Sequence, residues 1–168
     1  ITTHEKSKNL KTKPIYIRGF GECNSHSSIN YMPNMEKLEI AEHSSKQAFN
    51  NTGISVKDID LAMIYDSFTI TVLMTLEAIG FCSYGEGKEF VKNQNTAPGG
   101  NFSLNTNGGG LSYCHPGMYG IFFLLQATAT FSFVNGPTIK FDPDEIYMFA
   151  IVSSDIDPAP KIISGRFF

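Results

Sequence analysis

The run from Ile121 to Phe131 constrains the fold more than any other stretch of the chain. It reads Ile-Phe-Phe-Leu-Leu, one Gln126, then Ala-Thr-Ala-Thr-Phe. A helix of this composition is apolar almost all round and has to be covered on both sides. A bilayer is not the cover, because the run as far as Val134 is too short and too interrupted to span one. Layers of protein are the alternative. Just before it, Asn105 to Gly120 reads Asn-Thr-Asn-Gly-Gly-Gly-Leu-Ser-Tyr-Cys-His-Pro-Gly-Met-Tyr-Gly. Gly108, Gly109 and Gly110 leave the backbone bare, able to take φ > 0 and to let another group come close. Tyr113, Cys114 and His115 follow, three side chains that can move protons near neutral pH once perturbed. A glycine loop, a reactive cluster and a buried support make an active-site loop on a rigid element. The plainer reading of the same residues is a tight turn beside a core histidine.

The rest of the chain alternates. Ile1 to Lys13 is polar and basic, a loop or linker, and the domain runs from Pro14 to Phe168. Ile15 to Arg18 reads as a strand that Gly19 and Gly21 turn into a loop. Cys23 to Asn34 is irregular. Asn34 is placed to cap a helix from Met35, with Leu38, Ile40, Ala41, Ala48 and Phe49 as its apolar stripe and Gly53 as its stop. Ser55 and Asp58 have capping-box spacing. Leu61 to Tyr65 reads as a buried strand, with Asp66 and Ser67 at its tip, and Thr69 to Ile79 as a helix ending at Gly80. Gly85 to Lys92 is a short helix, Asn93 to Gly100 a loop, and Phe102 to Leu104 a brief strand. Beyond the apolar run, Asn135-Gly136-Pro137 is a turn, Ile146 to Val152 a strand, and Ile162 to Phe168 a last one. This order predicts a layered α/β domain with a mixed sheet. One sheet in 168 residues has trouble covering the Ile121 helix on both sides, so a second layer is expected from another domain or subunit.

Composition removes several function classes. The net charge is −3 and no basic stripe exists, so nucleic acid is not an expected partner. The three cysteines are odd in number and lack metal-ligand spacing. They imply neither a disulfide framework nor a metal site, and fit reduced thiols in the cytoplasm. Ile1 to Leu10 carries no secretory signal. A chain that opens on Ile1 rather than Met reads as a piece of a longer protein.

The pattern Asn-x-x-Gly-Gly followed by His-Pro resembles the histidine motif of the thiolase superfamily. Its full wording resembles one branch, the sterol-carrier-protein-type thiolases and lipid-transfer-protein-type aldolases. Tyr65-Asp66-Ser67-Phe68 falls where thiolases have Asn-Glu-Ala-Phe and the sterol-carrier type has His-Asp-x-Phe. Gly80-Phe-Cys-Ser-Tyr-Gly-Glu-Gly87 and Pro98-Gly-Gly100 are similar to the same branch. The resemblance covers roughly Pro14 to Thr130. It implies the C-terminal half of a fold built from two βαβαβαββ halves, with the nucleophilic cysteine in the other half. Residues 131–168 depart from the pattern and lack the family's later Cys-x-Gly motif.

What the resemblance implies for single residues follows. His115 is a donor to a thioester oxygen or a partner to the nucleophile. Tyr65 and Tyr113 resemble the acid/base pair of the aldolases, which cleave a β-hydroxyacyl-CoA without a cysteine nucleophile. Asp66 orients Tyr65 or His115, or caps the following helix; both readings stand. Asn105, Gly108, Gly109 and Gly110 line the substrate. Cys114 is a structural thiol and Tyr119 a core residue. The substrate is an acyl-CoA, with coenzyme A part of it and no bound cofactor. The partners are the missing N-terminal half and a second subunit, as a homodimer or hetero-oligomer. Acyl transfer is the first expected reaction, retro-aldol cleavage the alternative, and a non-catalytic acyl-CoA or lipid binder the third reading.

Overall fold

The computed structural model describes residues 2–11, 15–26, 28–50, 52–113, 146–152 and 161–167. The expected helix over Ile121 to Phe131, the turn at Asn135 to Pro137, and Cys114, His115 and Tyr119 lie outside them. The described strands form one sheet: β1 (Ile15–Glu22), β2 (Leu61–Ile64), β3 (Ser103–Leu104), β4 (Ile146–Val152) and β5 (Lys161–Phe167), in the order β1-β5-β4-β2-β3. β2 is parallel to β3 and β4, and β5 is antiparallel to β4 and β1. The described helices are α1 (His4–Ser7), α2 (Glu39–Asn50), α3 (Thr69–Ile79) and α4 (Gly87–Val91). This is the mixed-sheet α/β frame that the alternation predicts.

β2 sits between two parallel neighbours because every one of its side chains is apolar. Ala62 and Ile64 belong to one core cluster with Ala48 of α2 and with Leu76 and Ile79 of α3. By alternation Leu61 and Met63 face the other side of the sheet, and they are equally buried. The sheet is therefore covered on both faces at β2. Burying side chains of the size of Leu61, Met63, Ile64 and Leu76 stabilises the fold by ~1.5–3 kcal/mol each. α3 ends because Gly80 takes φ 96°, which turns the N–H groups of Gly80 and Phe81 back onto the carbonyl of Leu76. The rings of Phe81, Phe90 and Phe102, with centroids 4.9 to 6.4 Å apart, then tie the end of α3 to α4 and to the approach to β3.

Three local expectations are corrected. β1 does not stop at Arg18 but runs through Gly19 and Gly21 to Glu22. The glycines are there for close packing rather than for a turn: a Cβ on Gly19 would strike the carbonyl oxygen of Ala48, and one on Gly21 that of Ser44. Only a bare strand lets α2 lie this near. α2 begins at Glu39, not Met35. Asn34 does accept a backbone N–H, from Glu36 at 2.7 Å, but this closes a local Asx turn, and the helical bonds start at the Leu38 carbonyl. Within the polar N-terminal stretch, His4–Ser7 forms one helical turn headed by the Thr3 hydroxyl. The Ser55–Asp58 pair is present, although both bonds run one way. The Asp58 carboxylate accepts from the Ser55 N–H and hydroxyl, at 2.8 and 2.7 Å.

Candidate active site

β2 and β3 run parallel and end side by side, so the residues that follow each strand meet at one tip of the sheet. After β2 come Tyr65 and Asp66; after β3 comes Asn105. The Asn105 N–H extends the ladder by donating to the Ala62 carbonyl at 2.9 Å. Its side chain then stands in for a further residue of strand. Oδ1 accepts from the Ile64 N–H at 2.7 Å and Nδ2 donates to the Ile64 carbonyl at 2.9 Å. This geometry needs φ 44° at Asn105, which Asn tolerates better than most side chains.

The glycines come next. Gly108 and Gly109 have φ 93° and 71°, the left-handed region that glycine enters without strain. The Ser112 hydroxyl donates to the Gly108 carbonyl at 2.6 Å. The turn then reaches Asp66, which is only 4% exposed. Its Oδ1 accepts from the Gly110 N–H at 2.7 Å and its Oδ2 from the Leu111 N–H at 3.1 Å. A Cβ on Gly109 would run into this carboxylate and lie 3.2 Å from Asn105 Nδ2. Asp66 thus caps the single turn Gly110–Ser112. It does not cap α3, whose N-cap residue is Phe68 with no side-chain cap bond.

Each backbone N–H from Gly108 to Tyr113 is therefore taken. The acceptors are the Asn105 carbonyl, Asn107 Oδ1, the two Asp66 oxygens, and the carbonyls of Gly109 and Gly110. From Gly108 to Tyr113 the loop therefore holds no spare backbone donor.

The structure brings Tyr65, Asp66, Asn105, the three glycines and Tyr113 to one end of β2. Tyr65 is half-buried and Tyr113 is 69% exposed. The amide of Asn105 is engaged with Ile64. Phe68, Ile70 and Leu111 stand exposed around the same tip. His115 lies outside the described residues, two positions beyond Tyr113. Sequence reasoning missed the pairing of Asp66 with the glycine turn and the use of Asn105 as a strand mimic. The one available signal was an Asn directly after a strand and just ahead of a glycine run.

A cleft of about 400 Å³ lies elsewhere, lined by Glu42, Lys46, Phe49, Glu77, Cys82 and Tyr84 among others. It opens at the C-terminal end of α3, an 11-residue helix, so it is roughly 16 Å from the Asp66 end. Burial, then Glu77 and Glu86, pushes the Cys82 thiol up to about 11, so it is no nucleophile at neutral pH. Among the described residues, no group of three His, Cys, Asp or Glu side chains is placed to hold a metal ion. None of the described helices is long and apolar enough to cross a membrane.

A domain whose polar side chains gather where parallel strands end belongs to the class that meets its ligand at the strand tips. The particular family follows from comparison. The chain belongs to the thiolase C-terminal domain-like family, whose model matches residues 21–133. It is similar to the 17-hydroxy-3-oxo-4-pregnene-20-carboxyl-CoA lyase of Mycobacterium tuberculosis, 32% identical over 72% of this chain and 33% of the relative. The steroid side-chain-cleaving aldolase of Thermomonospora curvata is 33% identical over 72% of this chain and 32% of the relative. A benzoylsuccinyl-CoA thiolase subunit of Thauera aromatica is 36% identical over 46% of this chain and 20% of the relative. The solved Ltp2-ChsH2(DUF35) aldolase shares the fold, with TM-score 0.78 and 23% identity over 98% of this chain and 42% of that one. The chain spans about a third of the length of the lyase and aldolase relatives.

Proposed function

We propose that the chain is the C-terminal half of an acyl-CoA enzyme that breaks a carbon–carbon bond by retro-aldol cleavage. The observation that carries this reading is the joining of the two loops at the tip of β2. Tyr65 adjoins Asp66 in sequence, and Tyr113 closes the turn that Asp66 holds. Two phenols on one fastened frame suit an acid–base pair. One takes the proton of a β-hydroxyl. The bond between the α- and β-carbons breaks, the hydroxyl carbon becomes a ketone or aldehyde, and the electron pair passes to the thioester enolate. His115 and the other phenol donate hydrogen bonds to that developing charge, and the abstracted proton returns to the α-carbon. Coenzyme A enters only as part of the substrate. The lyase and aldolase names of the longer relatives support this choice. The exposed Phe68, Ile70 and Leu111 fit a site completed by a further half or a partner subunit.

The test is turnover of 17-hydroxy-3-oxo-4-pregnene-20-carboxyl-CoA by the full-length protein. A steroid ketone and a shorter acyl-CoA are expected, with the rate falling by about 10²–10⁴-fold in Tyr113→Phe. A Tyr113→Phe protein as fast as wild type overturns the role. The thiolase subunit among the relatives favours acyl transfer as a second reading. Acetyl-CoA released from acetoacetyl-CoA and CoA selects it, and its absence counts against it.

A further inference from the structure

We infer that Asp66 is a positioning residue, and that Asp66, Gly109 and Asn105 form a reciprocal latch that sets the loop leading to Tyr113. The inference rests on the retro-aldol reading for its kinetic consequence, but not for its structural one. The latch crosses in both directions. From the loop after β3, the Asn105 side chain reaches back to both backbone groups of Ile64, at 2.7 and 2.9 Å. From the end of β2, the Asp66 side chain reaches forward to the N–H groups of Gly110 and Leu111, at 2.7 and 3.1 Å. Gly109 lies where the two fastenings meet, with no room for a Cβ between the Asp66 carboxylate and the Asn105 amide.

An acid–base catalyst has to face the reacting atoms. Asp66 is buried, and both of its oxygens point at backbone N–H groups. Two donors converging on one side chain require an acceptor at each oxygen. A carboxylate meets that requirement. The Asn amide does not, since its NH₂ would face one of the N–H groups. The charge of Asp66 is thus explained by the turn it holds, with no proton transfer needed.

The experiment uses the full-length protein with 17-hydroxy-3-oxo-4-pregnene-20-carboxyl-CoA, comparing wild type, Asp66→Asn, Gly109→Ala and the double variant. Gly109→Ala leaves Asp66 intact but presses a methyl group on its carboxylate and strains the backbone at φ 71°. Both single variants are expected to lose kcat by roughly 10²-fold through misplacement of the loop. KM should stay near the wild-type value, and both limbs of the pH–rate profile should remain. The double variant should lose little more than either single one, because both remove the same fastening. Wild-type kcat in Asp66→Asn, disappearance of the acid limb in that variant, or additive losses in the double variant each overturn the inference. A wild-type protein without turnover defeats the retro-aldol reading instead. The latch is then read from amide hydrogen exchange: Asp66→Asn should speed exchange at Gly110 and Leu111, and unchanged protection there overturns it.

Discussion

Asn105 and Asp66 show how much one polar side chain can do when it is aimed at backbone. Asn105 completes the hydrogen bonding of Ile64, a fully buried residue. Removing it leaves a buried donor and a buried acceptor without partners, at about 1–3 kcal/mol each. Asn105→Ala should therefore lower stability by ~2–6 kcal/mol, read as a shift in the urea midpoint with little change in slope. Cys82 predicts a pH effect. Its folded-state value near 11 lies above the ordinary 9.0. From pH ~9 to ~11 the unfolded chain loses the thiol proton while the folded chain keeps it, so stability falls as pH rises through that window. Tyr84, raised from 10.0 to about 12 by burial and by its bond to Glu42, adds the same sign one unit higher. Urea midpoints measured from pH 8 to 10 should fall more steeply in wild type than in Cys82→Ala. The partners of Asp66 and Asn105 lie 41 to 45 residues away. No local pattern encodes such a pairing, which is why the candidate residues were legible and their connections were not.

Among the elements, legibility followed chemistry that has a single meaning. Leu61 to Ile64 and Ile146 to Val152 are unbroken apolar runs, and both are strands with the bounds expected or within a residue of them. Gly80 after an apolar helix had one role and takes it. Gly19 and Gly21 had two roles open to them. A glycine pair after a strand signals a turn, yet here it thins β1 so that α2 can lie against it. What decides between the roles is a helix 20 to 30 residues further on. Gly21→Ala sets a methyl group against helix backbone, which cannot give way as a side-chain tip would. It should cost about 1–3 kcal/mol, while Gly53→Ala, which meets open space at φ 70°, should cost only its local strain. Thermal melts of the two variants side by side check the difference.

At the scale of the whole molecule, Phe68 is 66% exposed and Ile70, Leu111 and Tyr113 are exposed with it, all at the site end of the sheet. Phe20 and Ile17 stand exposed on β1. Apolar groups gathered at one tip of a sheet mark a surface that another surface covers. The chain expressed alone should associate in a concentration-dependent way by light scattering, and Phe68→Ser with Leu111→Ser should weaken that association. A monomer with a single cooperative urea transition would count against the idea. β1 is paired with β5, Ile15 opposite Phe167, and with no other described strand. A ribosome adding 5–20 residues per second needs on the order of ten seconds to deliver that partner after β1 has emerged. Throughout that interval β1 lacks the one described strand it pairs with, so the nascent chain is exposed to mispairing just when its own sequence is still being written.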